Sequence, residues 1–343
     1  MSNQTLENPQ LQNPQLLFFD TVNAYQRTAA IKAAIELELF TVIGHGKATD
    51  QQLAQECAAS ERGMRVLCDY LIVIGFLTKQ EHHYSLTPVS AMLLDRHSPA
   101  YLGSSIDYFL SPTITDAFKD VAAVVRKGGT VMSDEGVMTP NHPVWVKFAN
   151  AMSPIGRQLA QLLVKLVNPD SNSKLKVLDL AANHGWYGIT FAQHNPNVEV
   201  VAVDWSNVLE VAKQNAQAQG LNGRYRTIPG SALDVDYGNG YDLVLLTDFL
   251  QGSDASTCEK LLKKVHAALA DGGRAITLEL IPNEDRISPP LAASLSMLLL
   301  ASTPNGDSYT FPELERIIRN AGFSSCELHP IPPLAQSVII SHK

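Results

Sequence analysis

From Lys174 onward, short and nearly continuous apolar runs alternate with stretches of helical spacing, and that rhythm admits few folds. The runs occupy residues 176–180, 199–204, 224–228, 241–247 and 274–281. Apolar residues follow one another within them, as in strands covered on both faces, where an open sheet would show strict alternation. Parallel strands of this kind need crossover helices between them. The spacing therefore predicts an α/β domain with a mostly parallel, doubly wound sheet over residues 173–343.

The first half reads differently, and 343 residues leave room for a second domain. Residues 1–15 form a polar tail with two Asn-Pro-Gln triplets. Apolar residues then recur at helical spacing through Phe19, Val22, Tyr25, Ala29, Ala33, Leu37 and Phe40. That predicts one long amphipathic helix or two in series, with enough apolar face to seek another chain. Thr49-Asp50 caps a helix over 51–58, and Ser60-Glu61 starts another that Gly75 ends. Residues 76–79 and 83–86 follow as a small hairpin. Three helices and a hairpin are the winged-helix order, predicted here over residues 16–100. Residues 101–172 are helical segments that line a pocket, interrupted by a Gly- and Pro-rich loop over 128–143 that serves as a lid, a wall or a plain connection.

A winged helix raises DNA binding, and charge argues against it. The chain has 26 basic and 34 acidic residues, a formal charge of −8, and its second winged-helix helix offers only Arg62 and Arg65 to phosphates. A dimerisation role is the better expectation, with no nucleic acid as partner. The first basic residue is Arg27 and no apolar stretch approaches a membrane span, so a cytoplasmic protein is expected. Cys57, Cys68, Cys258 and Cys326 form no CxxC pair, and the histidines show no ligand spacing, so no metal site is expected.

The strongest local signal is Val177-Leu-Asp-Leu-Ala-Ala-Asn-His-Gly-Trp-Tyr-Gly188. A strand ends in a carboxylate, small residues follow, and Gly185 precedes a helix whose first N–H groups are free. Asp204 ends the next strand, where a carboxylate can accept both hydroxyls of a ribose. A dinucleotide site would want GxGxxG, because pyrophosphate presses against glycine backbone. Ala181-Ala182-Asn183-His184-Gly185 has one glycine, which suits a nucleoside with an uncharged or cationic tail. S-adenosylmethionine is such a ligand.

The order of several further segments carries a resemblance. These are Ala34-Ile-Glu-Leu-Glu-Leu-Phe40, Gly75-Phe-Leu77 with Tyr84-Ser-Leu-Thr87, Phe148-Ala-Asn-Ala-Met152, the loop 179–185, Asp204, Leu269-Ala-Asp-Gly-Gly273 and Ala321-Gly-Phe323. From about Leu17 to its end the chain resembles the class I methyltransferases of the small-molecule O-methyltransferase family. These join a winged-helix dimerisation domain to a Rossmann-like domain that binds S-adenosylmethionine. The resemblance implies a homodimer that methylates a small, partly apolar metabolite and releases S-adenosylhomocysteine. It implies that Asp179, Ala181, Asn183 and Gly185 line the methionine end, that Asp204 holds the ribose and that Trp205 lies beside the adenine. Ser231 and Ala232 stand where the family has an acidic adenine contact and an apolar residue, and Met152 lies near the reacting methyl. Phe148, Phe249, Leu250, Met297 and Tyr309, with residues 291–300, would line the acceptor pocket.

The departures from the family pattern carry more information than the matches. The family's usual general base is a His; in Phe249-Leu-Gln-Gly-Ser-Asp254 its place falls on Gln251, the candidate catalytic residue here. Ser296 and Ser308 fall where the family has supporting acids. A phenol ionises near about pH 10 and gains from a base, whereas Gln can only orient an acceptor through its amide. An already acidic hydroxyl, an amine, a thiolate or an activated carbon would react on alignment. His142 and His184 are the substitute bases to consider. Two other readings stay open from the sequence: an enzyme that keeps the cofactor without transferring its methyl, and a ligand-sensing winged-helix regulator.

Overall fold

The computed structural model describes residues 13–46, 49–133, 135–169, 172–332 and 334–343. Most of the tail expected over 1–15 lies outside these. The chain forms two compact units, Met1–Ile106 and Asp107–Lys343.

In the first unit the expected long helix is three pieces, Pro14–Val22, Ala24–Glu36 and Leu39–Gly44. Asn13 starts the first, its side chain accepting the N–H groups of Gln15 and Leu16 ahead of a helix that opens on Pro14. The third follows Glu38, whose left-handed backbone (φ 54°) breaks the helical path. Helices Asp50–Glu56 and Glu61–Val73 follow, each with a hydroxyl cap, from Thr49 and Ser60. The hairpin pairs β1 (Leu77–Gln80) with β2 (His83–Leu86). Asp69 ties it to the preceding helix, accepting from Lys79 Nζ at 2.9 Å and the Tyr84 hydroxyl at 3.0 Å. Arg65 is also engaged with Asp69, at 3.2 Å, so half of the small basic set of that helix is already paired.

The second unit is built on β3 (Leu175–Leu180), β4 (Val198–Asp204), β5 (Tyr225–Pro229), β6 (Tyr241–Thr247), β7 (Leu269–Leu280), β8 (Ser325–Pro330) and β9 (Gln336–His342). Their order is β5-β4-β3-β6-β7-β9-β8, parallel except for β9, which runs antiparallel to both neighbours. The five expected strands are present, and β8 and β9 extend the sheet. Helix Ala255–Ala268 ends where Leu269 pairs with Tyr241. Successive residues of each strand serve opposite layers. Val177 and Leu245 pack with Leu163 and Phe191, while Leu178 and Leu246 pack with Leu262 and Ile317. Each such side chain contributes about 1.5–3 kcal/mol. The strand order reverses beside β3, which opens a crevice at the carboxyl ends of β3, β4 and β6.

Residues 101–172 form short helices and then one of 24 residues, Val144–Val167. The loop before it is held at both ends. Thr130 N–H donates to Thr303 O at 2.9 Å, and Asn141 accepts from Asn207 Nδ2 at 3.0 Å and meets Ser206 Oγ at 2.9 Å. It is a strap across the strand ends. Helix Val144–Val167 meets the loop after β3 at Gly156, where an added Cβ would stand 2.0 Å from His184 Nε2. Gly156→Ala is expected to lower stability by about 1–3 kcal/mol through forced displacement of that ring. Urea denaturation tests this, and an unchanged midpoint would refute the tight contact.

Candidate active site

After β3 the chain turns through Ala181 (φ 52°), Asn183 (φ 54°) and Gly185 (φ 77°). Two non-glycine residues in the left-handed region persist only where surroundings fix them. Here Ala182 N–H donates to Val203 O at 3.2 Å, Gly185 N–H to Ala182 O at 2.7 Å, and Asn183 N–H to Asp204 Oδ2 at 2.8 Å. A side chain on Gly185 would strike the Tyr225 hydroxyl at 2.7 Å. The loop is thus clamped to β4, and Asp204 also accepts Trp205 N–H at 2.7 Å. Asp179 is fully buried. Its Oδ2 accepts Gly188 N–H at 3.0 Å, in the first turn of helix Trp186–His194.

The result is a site rich in acceptors and short of donors. Asp179 Oδ1 and Asn183 Oδ1 are buried with no hydrogen-bond partner among the described residues. Burial raises the Asp179 carboxyl to about 8, opposed by the Gly188 N–H and reinforced by Asp204. Burial likewise raises Asp204 to about 6 against its two backbone bonds. A carboxylate has about four acceptor positions, so Asp204 keeps room for two hydroxyls beyond those bonds. A ligand with an ammonium, a sulfonium and a ribose diol supplies the missing donors and charge, so these residues fit S-adenosylmethionine.

The neighbouring wall is the turn after β6. Glu279, buried in β7, accepts the N–H groups of Phe249 and Leu250 on Oε1, at 2.9 and 2.8 Å. Asp307 N–H donates to Gln251 O at 3.0 Å. The turn Leu250–Gly252 is therefore held from both sides, and the buried Gln251 Oε1 has no hydrogen-bond partner among the described residues. Asp248 and Glu279 were not singled out from sequence. Asp248 follows an apolar run as Asp179 and Asp204 do, and that recurrence was an available signal.

Other expected residues fall in varied places. Met152 is half-buried on helix Val144–Val167. Phe148 lies edge-on to Tyr108 at 4.8 Å and to Trp145 at 5.7 Å. Trp205 begins helix Ser206–Ala218 directly after Asp204, and Gly230 N–H bonds Asp204 O, bringing half-buried Ser231 and buried Ala232 to the same strand end. Leu250 is 1% exposed and packs among Val244, Leu246, Cys258 and Leu261, on the turn that Glu279 anchors. Tyr309 packs against that same core, its hydroxyl donating to Ser253 O at 2.6 Å. Met297 is 43% exposed on helix Pro290–Ser302. Ser308 is buried and its hydroxyl donates to Leu280 O at 3.4 Å. His142 and His184 each use Nδ1 to accept a backbone N–H, from Val144 at 3.1 Å and Trp186 at 3.2 Å. Burial lowers both, His184 to about 3, and with Nδ1 already accepting, the second ring nitrogen of each carries the hydrogen.

A seven-stranded sheet of this order, with an acceptor-rich loop at its switch point, defines a class I methyltransferase domain. Family comparison agrees: residues 19–96 match the O-methyltransferase dimerisation domain and residues 140–324 match the O-methyltransferase domain. The chain belongs to the O-methyltransferase family, whose members use S-adenosylmethionine, and it is a methyltransferase of small molecules. It is 27% identical over 318 residues to 3-hydroxy-5-methyl-1-naphthoate 3-O-methyltransferase of Streptomyces sahachiroi, covering 90% of this chain and 89% of that one. A crystal structure from Nostoc punctiforme PCC 73102, described as a candidate O-methyltransferase, is 57% identical with a TM-score of 0.93, covering 95% and 98% of the two chains. Human N-acetylserotonin methyltransferase in complex with S-adenosylmethionine shares the fold at 20% identity, with a TM-score of 0.83 over 100% and 99% of the chains.

Both raised carboxyls bind a proton more tightly in the folded chain than in the unfolded one, where the usual value is 3.8. Their ionisation therefore works against folding, and stability is lost as pH rises through about 6 for Asp204 and about 8 for Asp179. The melting temperature of the ligand-free protein is expected to fall between about pH 6 and about pH 8. Asp179→Asn should flatten that slope in a thermal melt, and a slope that persists unchanged in this variant would refute the assignment.

Proposed function

We propose that the chain methylates a hydroxyl of a small, partly apolar metabolite by in-line displacement, with Gln251 orienting the acceptor. The observation that carries this reading is the unpartnered, buried Gln251 Oε1 on a turn fixed from both sides, one strand away from the loop 179–185. When bound, S-adenosylmethionine supplies an electrophilic methyl and leaves as S-adenosylhomocysteine. Asp179, Ala181, Asn183 and Gly185 hold its methionine end, and Asp204, Trp205, Ser231 and Ala232 hold its nucleoside. Met152 flanks the reacting centre, and Phe148, Phe249, Met297 and Tyr309 supply apolar surface. The oxygen–carbon bond forms as the sulfur–carbon bond breaks, and the acceptor's proton passes to solvent, because Gln251 accepts a hydrogen bond without taking the proton. Acidic hydroxyls are therefore the favoured acceptors.

Mass spectrometry with methyl-labelled cofactor and phenols of graded acidity tests this. The rate is expected to rise with phenol acidity. Gln251→Ala should lower kcat/KM about tenfold by removing one oriented hydrogen bond. Gln251→His should raise the rate most for the least acidic phenols. Label found only on nitrogen or carbon acceptors would refute the oxygen assignment.

The match to a dimerisation domain supports a homodimer formed through a winged-helix domain that we assign to residues 16–100, with a pocket-lining segment at 101–172 and the cofactor domain at 173–343. Helix Pro14–Val22 has no buried residue, and Leu16, Phe18, Phe19 and Val22 are all more than half exposed, a face that suits a second copy. Among the described residues no helix is long and apolar enough to cross a membrane, which is compatible with a cytoplasmic site of action. Replacing Phe18 and Phe19 together with Glu is expected to halve the mass measured by light scattering. An unchanged mass would remove this helix from the interface.

A further inference from the structure

One carboxyl at the strand ends accepts no hydrogen bond among the described residues. Asp248 directly follows β6 with a left-handed backbone (φ 50°), and its N–H donates to Leu278 O at 2.8 Å, so the neighbouring strand fixes its place. The register Leu180↔Leu246 between β3 and β6 sets Asp248 alongside the Ala181–Asn183 turn. Its half-buried side chain receives no hydrogen bond among the described residues. Glu279, 3% exposed, spends Oε1 on the turn and leaves Oε2 buried and unpartnered beside it. The titratable groups nearest this spot are Glu279 on β7 and the Tyr187 hydroxyl on helix Trp186–His194, whose ionisation Asp248, Asp179 and Glu279 all oppose. None of these can be a cation. A ligand that brings positive charge to this spot gains from Asp248 and Glu279 together, and a neutral one does not.

Asp179 and Asp204 answer the ammonium and the ribose, which the methyl donor and its spent product share. The sulfonium is what distinguishes the two. We propose that Asp248 is the counter-charge that selects the sulfonium form of the cofactor over the neutral thioether left after transfer. This rests on the cofactor binding at Asp179 and Asp204. Its consequence for turnover is directional: loss of the methyl removes the positive charge, so Asp248 ceases to hold the product and exchange for fresh donor is favoured.

Calorimetry with the full chain separates the possibilities, using S-adenosylmethionine and S-adenosylhomocysteine as probes and no acceptor. Burial raises Asp248 to about 7, so it is ionised in a titration at about pH 8. Asp248→Asn keeps the shape and suits a left-handed backbone. It is expected to weaken S-adenosylmethionine about tenfold and to leave S-adenosylhomocysteine within about twofold. Equal losses for both ligands, or no loss for S-adenosylmethionine, would overturn the proposal. A wild-type chain that binds neither ligand overturns the cofactor reading instead. A second measurement needs no variant. The ratio of the two affinities in the wild type should shrink from about pH 8 to about pH 6 as Asp248 takes up a proton. Asp179 and Asp204 act on groups common to both ligands and cancel from that ratio, so a flat ratio overturns the proposal.

Discussion

The Gly188 N–H donates to one oxygen of Asp179, and much of the second unit is arranged around that contact. It joins the end of β3 to the start of helix Trp186–His194, where the free N–H groups of a helix favour a negative partner. Gly188 has no alternative there, since a Cβ would meet Val200 Cγ1 at 2.7 Å and Asp179 Oδ2 at 2.9 Å. The contact draws the helix close and forces the intervening residues into a short loop with three left-handed positions. That loop is stable because Asp204 accepts the Asn183 N–H from the next strand. Two buried carboxyls thus shape the backbone and are left with unused acceptor capacity. Structure and ligand demand come from one interaction.

Legibility in the sequence followed how local the cause was. β3, β4, β6 and β7 were visible because each is buried on both faces and reads as an apolar run, whereas β5, Tyr-Arg-Thr-Ile-Pro at the sheet edge, is only partly buried. β8 has a mixed composition, Ser-Cys-Glu-Leu-His-Pro, and no fully buried residue, so its membership rests on pairing with β9 at the sheet edge. The loop 179–185 and Asp204 were legible because their chemistry and spacing lie within two strands of sequence. Glu279 was hidden inside an apolar run, and its role appears only when the turn after β6 folds over it. The burial of Leu250 was hidden for the same reason: Glu279 holds its N–H, and only the folded turn shows that bond. His142 and His184 are ordinary candidates by type, and their unsuitability lies in Nδ1 bonds to backbone two residues ahead.

A glutamine at the place where a base is expected changes what the rest of the site must do. A titratable base contributes by removing a proton, whereas an oriented amide contributes through alignment and exclusion of water. The structure invests in alignment. The Gln251 backbone is fixed by Glu279 below and by the Asp307 N–H beside it, and Gly306 is required there because a side chain would strike Gln251 O at 2.7 Å. The strap from 128 to 143 passes the same turn, with Met138 3.4 Å from the position a Gly252 Cβ would take. A site so constrained around a neutral amide gains most when the acceptor arrives with its proton already weakly held. On the proposed reading, the selectivity of such an enzyme would lie in the acidity and shape of its acceptor, with the carboxyls at the strand ends left to manage the charge of the donor.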